Sequence, residues 1–398
     1  MVPAVPQSTF PRFAFLTCHL ELGGSTTFLS NVSAELSRQG AAAKVFCFSS
    51  NVSVREEFVR AGVEVFSQDE RRHIFEDRMR ETLVALKRFG PNIVVACLGP
   101  ESFEALRYVP DSVVKMGLAQ SDEASVYHTL RIYRKFLNAA GGVSLVICDK
   151  LKSLEVPVHY LPYGVPMPQH IVREARTADA PLRILYLGRL CKEQKRVHLF
   201  PELQERLRAS EIPFEWTIAG TGEMEATLRR EMQSHSRDQS VRFLGAVQYR
   251  DVPKLLLEHD IYLLMSDYEG LPLSLLEAMG SGLVPVVSAL SSGIPDVVDS
   301  ESGLMIPMND ISAFAKAITS LHSDRPRLEA MSQKARASAL GQFSVEAMGK
   351  RWLSIPLDRS IPAGPWTIQN IRAPLTAKYP FYFSRAFRGL RRLVKKLP

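Results

Sequence analysis

Short apolar runs alternate with longer amphipathic stretches over most of the chain. In the first half the runs are FAFLTC, KVFCF, VEVF, NIVVAC, VVKMGL, SLVIC and VHYL, and between several of them apolar positions such as Phe28, Leu29, Val32 and Leu36 recur at helical spacing. Near-continuous apolar strands separated by one-faced helices predict a parallel sheet covered on both sides. Residues 163–181 interrupt this alternation with prolines, small residues and charges in no clear period, which is linker composition. The alternation then restarts with RILYLG, FEWTIAG, VRFLG, IYLLMS, VPVVS and GLMIP. The expectation is an α/β chain of two Rossmann-like, doubly wound parallel-sheet domains, residues 1–162 and 182–342, facing a cleft at the carboxyl ends of their strands. Residues 343–358 are expected to form a helix crossing back to the first domain. Pro356, Pro362, Pro365 and Pro374 then end any regular pattern ahead of and within a tail at 359–398.

Length and composition agree with two domains: 398 residues exceed one ordinary core, and 46% hydrophobic with 23% charged residues is globular usage. The net charge of +7 suggests a nucleic-acid partner until it is located. From Ser360 onward there are eight Lys/Arg and no acid, so residues 1–359 sum to about −1. Within that tail Phe383, Phe387, Leu390 and Val394 recur at helical spacing among Arg385, Arg388, Arg391, Arg392, Lys395 and Lys396. Residues 381–396 therefore predict a basic amphipathic helix suited to an anionic membrane surface or to docking on the first domain, and no stacking platform for nucleic acid is present. No apolar run is long enough to cross a bilayer, and the stretch at 13–18 is too short for a signal sequence. The expected location is cytoplasmic, peripheral at the inner face of the cell membrane. The five cysteines have no CxxC spacing and read as small core residues.

The densest chemical signal is SDYEGLPLSLLEAMGSG at 266–282, which leaves an apolar strand, crosses a loop and enters a short helix with Pro272 in its first turn. A strand end facing a helix N-terminus is an anion site, with amide groups near Leu273 and Ser274 lacking intrahelical acceptors. Glu269 and Glu277 are eight positions apart, roughly 12 Å if all were helical. They are too distant to share one bond as an acid/base pair and suitably spaced to hold two ends of an elongated ligand.

The string EGLPLSLLEAMGSGLVPVVS resembles the E-x7-E signature of retaining family-4 glycosyltransferases of the GT-B fold. The resemblance is dense over about 180–355 and thin over 10–160. It implies that Glu277 grips the donor ribose, that Glu269 meets the transferred sugar as the catalytic carboxylate, and that Gly270, Leu271, Pro272, Leu273 and Ser274 line the donor site. It also places Arg189 and Lys195 of GRLCKEQKR on the donor phosphates, where an arginine fork and a lysine point charge would neutralise a departing diphosphate. Gly220 and Gly222 of IAGTGE, Leu244 of FLG and the SGIPDVV segment at 292–298 fit strand-end loops that pass the nucleotide. Gly23 and Gly24 fit the family's glycine pair under the donor phosphate. They do not make GxGxxG, and no acid follows at dinucleotide spacing, so a nicotinamide enzyme is disfavoured.

One departure stands out. Where the family often has a histidine after the fifth strand, this chain reads GLAQSDEASVYH, with Gln120, Ser121 and Asp122 at that place. Asp122 and His128 become the candidates for acceptor-side catalysis. No D-x-D motif follows a strand, and the resemblance implies no metal and no cofactor beyond the UDP- or GDP-linked substrate. The function implied is transfer of a sugar, with retained anomeric configuration, from a nucleotide sugar to an acceptor hydroxyl of a surface polysaccharide, glycolipid or lipid-linked precursor. The alternatives are an inactive relative serving as sensor or scaffold, and a nucleotide-sugar epimerase.

Overall fold

The computed structural model describes residues 11–21, 23–49, 54–68, 75–168, 170–171, 177, 179–232, 240–357, 364–369 and 371, so the basic stretch at 381–396 lies outside the described residues. The chain divides into two compact units, Met1–Pro162 joined by Met348–Pro398, and Tyr163–Ala347.

The first unit is built on seven strands, β1 (Arg12–Thr17), β2 (Ala42–Cys47), β3 (Glu64–Ser67), β4 (Ile93–Leu98), β5 (Val114–Ala119), β6 (Ala139–Gly142) and β7 (Val158–Tyr160). They form one sheet in the order β3-β2-β1-β4-β5-β6-β7, with every neighbouring pair parallel. Strands at the centre read as uninterrupted apolar runs because helices cover both faces; Phe13 to Leu16 and Ile93 to Ala96 are fully buried.

One sequence expectation fails here. SLVIC at 144–148 is not a strand: Leu145–Leu151 is a helix, and Ser144 caps it by accepting from the Ile147 amide. A short apolar run has no period to separate strand from buried helix, and the serine before it was the better signal. The sixth strand is the upstream AAGG. Its small residues are needed, since a Cβ on Gly142 would lie 2.7 Å from Cys148 Sγ on that helix, and one on Gly141 would lie 2.9 Å from Leu118 and Leu161.

The helix Val345–Leu353 delivers Trp352 into the first unit's core. The indole is fully buried, with ring centroids 5.3 Å from Phe15, 6.2 Å from Phe28 and 6.3 Å from Phe13. Residues near the described chain end therefore complete hydrophobic packing begun by β1.

The second unit has six strands, β8 (Leu182–Leu187), β9 (Phe214–Ala219), β10 (Val241–Gly245), β11 (Ile261–Leu264), β12 (Val284–Ser288) and β13 (Leu304–Ile306). Their order is β10-β9-β8-β11-β12-β13, again parallel throughout. Strand order reverses between β8 and β11, and between β1 and β4 in the first unit. Crevices outside the carboxyl ends of the strands open at such reversals. All five cysteines are free thiols, and among the described residues no helix is long and apolar enough to cross a membrane.

Candidate active site

In the second unit the sequence-predicted residues gather where the strand order reverses. Arg189 and Lys195 follow β8; Ser266 and Glu269 follow β11; and the helix Leu273–Gly280 begins immediately beyond. Pro272 is the residue before the helix rather than the first within it, with φ −68° and ψ 118°. Fixing φ there costs little, and the amides of Leu273 and Ser274 open the first turn without intrahelical acceptors.

Two loops are clamped together. The Asp267 amide donates to the Gln194 carbonyl (2.9 Å), the Gln194 side-chain amide donates to the Tyr268 carbonyl (3.4 Å), and Arg196 pairs with Asp267 at 2.5 Å. Arg196 takes a left-handed backbone, φ 51°, at the end of this loop. A side chain other than glycine is held in that region only when its surroundings fix it. Arg196 is thus consumed by the clamp.

Lys195 donates from Nζ to Glu269 Oε1 at 2.5 Å, and Ser266 Oγ donates to the same oxygen at 2.6 Å. Glu269 is buried and Lys195 nearly so. Arg189 differs: it is exposed, and its guanidinium donates only to the neutral Gln194 Oε1, at 2.8 Å. Its charge stays uncompensated by any carboxylate hydrogen bond recorded among the described residues.

Glu277 sits on the second turn of the helix, only partly exposed, and its carboxyl has no recorded hydrogen bond or ion pair among the described residues. Burial alone pushes its pKa up to about 8. Tyr262, fully buried on β11, hydrogen-bonds Ser274 Oγ at 2.6 Å; its phenol is raised well above the usual range, first by burial and further by the charges of Glu269 and Glu277. One phenol therefore feels both carboxylates.

The glycines divide into two kinds. A Cβ on Gly220 would lie 1.9 Å from the Gly188 carbonyl oxygen at φ 135°, and one on Gly222 would lie 2.2 Å from the Leu190 carbonyl oxygen. These two let the chain's own strand-end loops touch each other, so protein backbone is the close neighbour the structure records for them. Likewise the Gly293 amide donates to the Gly270 carbonyl at 2.7 Å, and a Cβ there would sit 2.4 Å from that oxygen, so the 292–294 turn seats the loop carrying Glu269 and the buried Leu271. Leu244, by contrast, is 38% exposed at the end of β10.

Gly23 is the other kind. It precedes the helix Gly24–Arg38 in extended backbone, φ 161°, and a Cβ on it would meet nothing within 4 Å. Neither neighbour contacts nor conformation demand a glycine there.

Residues 169–338 match the model of the family "Glycosyl transferases group 1". The chain carries a glycosyl transferases group 1 domain. Among curated relatives, the glycosyltransferase WcaL of Salmonella typhimurium, named for colanic acid biosynthesis, is 27% identical over 294 residues, covering 67% of this chain and 70% of that one. The amylovoran biosynthesis glycosyltransferase AmsK of Erwinia amylovora is 34% identical over 171 residues, covering 41% of this chain and 42% of its own. The GDP-mannose-dependent monoacylated alpha-(1-6)-phosphatidylinositol monomannoside mannosyltransferase of Corynebacterium glutamicum is 34% identical over 145 residues, 35% of this chain and 37% of its own. Solved structures share the fold. The pneumococcal O-GlcNAc transferase GtfA in complex with UDP and GlcNAc superposes with TM-score 0.70 at 12% identity, covering 86% of this chain and 98% of that chain. Anabaena HepE in complex with UDP-glucose gives 0.68 at 14%, with the same coverage. The architecture is GT-B, two Rossmann-like parallel-sheet domains.

In the first unit, Asp122 and His128 are not brought together for chemistry. The Asp122 carboxylate accepts from Lys150 Nζ at 2.7 and 2.6 Å and from the Tyr127 hydroxyl at 2.5 Å. Tyr127 is raised above the usual phenol range, by burial first and then by this bond. His128 is exposed on the helix Ala124–Tyr133, with no recorded partner among the described residues. Sequence reasoning missed Gln194, Ser266 and Tyr262. Each acts through a contact over 3 to 74 positions, and none has a spacing that announces it.

Proposed function

We propose that this chain transfers a sugar from a UDP- or GDP-linked donor to an acceptor hydroxyl, with retained anomeric configuration and without a metal, in assembly of a cell-surface polysaccharide or glycolipid. The observation that carries the reading is the grouping, at the strand-order reversal of one unit, of Lys195 on Glu269, open helix amides, and an Arg189 and a Glu277 that have no ion-pair partner among the described residues. Two cations and two amides suit a diphosphate; an unpaired carboxyl suits a pair of ribose hydroxyls. The names of the relatives support both bases, since one is GDP-mannose-dependent and the fold neighbours hold UDP or UDP-glucose. Those of WcaL and AmsK support a polysaccharide product.

In this reading the bond between the anomeric carbon and the donor phosphate oxygen breaks while the acceptor oxygen bonds the same carbon from the same face. The acceptor proton passes to the leaving phosphate oxygen. Arg189, Lys195 and the Leu273 and Ser274 amides take up the charge that develops there, the part a divalent ion would otherwise play. As Lys195 turns to phosphate, the Glu269 carboxylate is released toward the sugar hydroxyls.

The test is incubation of the purified chain with UDP- and GDP-sugars, following nucleotide release with and without EDTA, and titration with bare UDP and GDP. Binding of one nucleotide in the micromolar to millimolar range, lost in Arg189→Glu/Lys195→Glu and indifferent to EDTA, is expected. Absence of binding to both nucleotides, or binding untouched by that double reversal, would sink the proposal. The tail at 381–396 is proposed to hold the chain on anionic lipid. Cosedimentation with phosphatidylglycerol vesicles that persists after truncation at residue 371 would refute that role.

A further inference from the structure

The helix Leu273–Gly280 spans about 12 Å, and in the donor reading its first-turn amides and Glu277 meet different parts of one nucleotide. What holds this helix therefore governs the site. Tyr262 seats its start through Ser274 Oγ at 2.6 Å. At the other end the Glu277, Ala278 and Met279 carbonyls accept from the Ser281, Leu283 and Gly282 amides at 3.0, 2.9 and 2.9 Å. Among the described residues no backbone amide reaches the buried Gly280, whose carbonyl is the one left over at the helix end.

Arg336, on the helix Arg325–Phe343, takes that carbonyl. Its Nη1 donates to the Gly280 oxygen, and its Nη2 donates to the Pro168 carbonyl at 2.6 Å. One turn earlier on the same helix, Ser332 Oγ donates to the Gly282 carbonyl at 2.5 Å. A Cβ on Gly280 would lie 2.8 Å from Met167 Sδ, so Met167 and Pro168 both lie against the end of the donor helix. These two residues belong to the segment by which the chain enters the second unit. Val165 of that segment pairs in parallel with Ser344, close to where the chain leaves the unit, and its amide donates to the Phe343 carbonyl at 2.9 Å.

Any cation at the carboxyl end of a helix complements its dipole. A guanidinium does something more particular, since its planar fork holds two carbonyls at a set separation. We propose that Arg336 is a positioning residue for donor binding: it bridges the end of Leu273–Gly280 to the entering segment at Pro168, so that the Leu273 and Ser274 amides and the Glu277 carboxyl engage one nucleotide together. This deepens the glycosyl-transfer reading and rests on it for the nature of the ligand. Nucleotide affinity is then set in part by a side chain at the far end of the helix from the phosphate.

The full chain is compared with Arg336→Met, Arg336→Lys and Arg325→Met. Arg325 is the control, because it lies on the same helix and donates to the Ala180 carbonyl at 2.5 Å, with no bond to Leu273–Gly280 recorded among the described residues. Both methionine variants lose a guanidinium bonded to backbone, so both lower Tm by a few degrees. Calorimetry with bare UDP and GDP is run well below every melting temperature, where a loss of stability alone leaves the folded fraction, and hence Kd, unchanged. Arg336→Met raises Kd for the nucleotide that the parent binds about threefold to tenfold, and Arg325→Met stays within about twofold. Arg336→Lys keeps the charge without the fork and recovers only part of the loss. Without nucleotide, amide exchange from Leu275 to Leu283 quickens in Arg336→Met and not in Arg325→Met. Should Arg336→Met fail to fold, Arg336→Gln, which reaches one carbonyl at most, takes its place in each comparison. Unchanged Kd or unchanged exchange on losing the guanidinium, an equal loss of affinity in Arg325→Met, or full recovery in Arg336→Lys overturns this inference and leaves the donor reading in place. A parent chain that binds neither UDP nor GDP sinks the donor reading and the role of Arg336 with it.

Discussion

Lys195 Nζ lies 2.5 Å from Glu269 Oε1, with both side chains nearly closed to solvent. The cation assigned to donor phosphate and the carboxylate assigned to donor sugar are thus each other's partners before any ligand arrives. A nearly buried pair of this kind is weak evidence of net stabilisation, but breaking it from one side strands a charge. Lys195→Ala is expected to lower unfolding free energy by about 3 kcal/mol, because Ser266 alone remains to face Glu269. Adding Glu269→Gln should recover much of that loss. A denaturant-unfolding double-mutant cycle checks this, and strictly additive losses would show that the pair is not coupled.

Glu277 provides a pH signature. Its folded carboxyl titrates near 8 against an ordinary value of 4.5, raised by burial. Below pH 4.5 both folded and unfolded chains hold the proton, and the group costs nothing. Between 4.5 and 8 the unfolded chain releases it while the folded chain keeps it, so stability falls as pH rises; above 8 the loss is complete. Glu277→Gln removes the dependence. The variant should match the parent near pH 4.5 and become progressively more stable toward pH 8, by a few kcal/mol at most. A gap between the two unfolding curves that stays constant with pH would contradict the assignment.

How much of this was legible follows from the range of each cause. The six strands of the second unit were readable because each is an apolar run bounded by glycine, proline or charge, and the E-x7-E string is a local arrangement whose residues act on one ligand. SLVIC reads as a strand because a run that short carries no period, and AAGG gives no strand signal because alanine and glycine have no apolar signature, only the space they leave for Cys148, Leu118 and Leu161. The clamp by Gln194 and the pairing of Asp122 with Lys150 were invisible for another reason. They are set by which loops the sheet order brings together, and a single chain of letters does not display that order.

The two kinds of glycine predict opposite outcomes. In Gly293→Ala the new methyl group meets the Gly270 carbonyl at 2.4 Å and must displace the loop that presents Glu269. A loss of about 2 kcal/mol is expected, with donor affinity lost in parallel. In Gly23→Ala the methyl group enters open space in an extended backbone, so the melting temperature should hold to within a degree or two. If donor phosphate passes close to that backbone, as the glycine pair implies, Gly23→Ala weakens nucleotide binding while leaving the fold intact. A Gly23→Ala chain that both melts and binds like the parent would remove Gly23 and Gly24 from the donor site.

Trp352 tests whether the residues after Ala347 belong to the first unit's core. The indole is fully buried against Phe13, Phe15 and Phe28, two of them on β1 and one on the helix that follows. Truncation to alanine removes a large apolar surface and leaves a cavity among aromatic rings that cannot collapse without moving β1. A cost of about 3–5 kcal/mol is expected. Trp352→Phe keeps edge-on aromatic contact and should lose less than half as much. The indole Nε1, which has no hydrogen-bond partner among the described residues, gives a reason, since phenylalanine removes a buried donor as well as volume. Unfolding followed by circular dichroism ranks the two, and hydrogen exchange locates the effect. Protection lost first in Arg12–Thr17 and Gly24–Arg38 is the expected result, whereas loss confined to Tyr163–Ala347 would place the indole's contribution in the wrong unit.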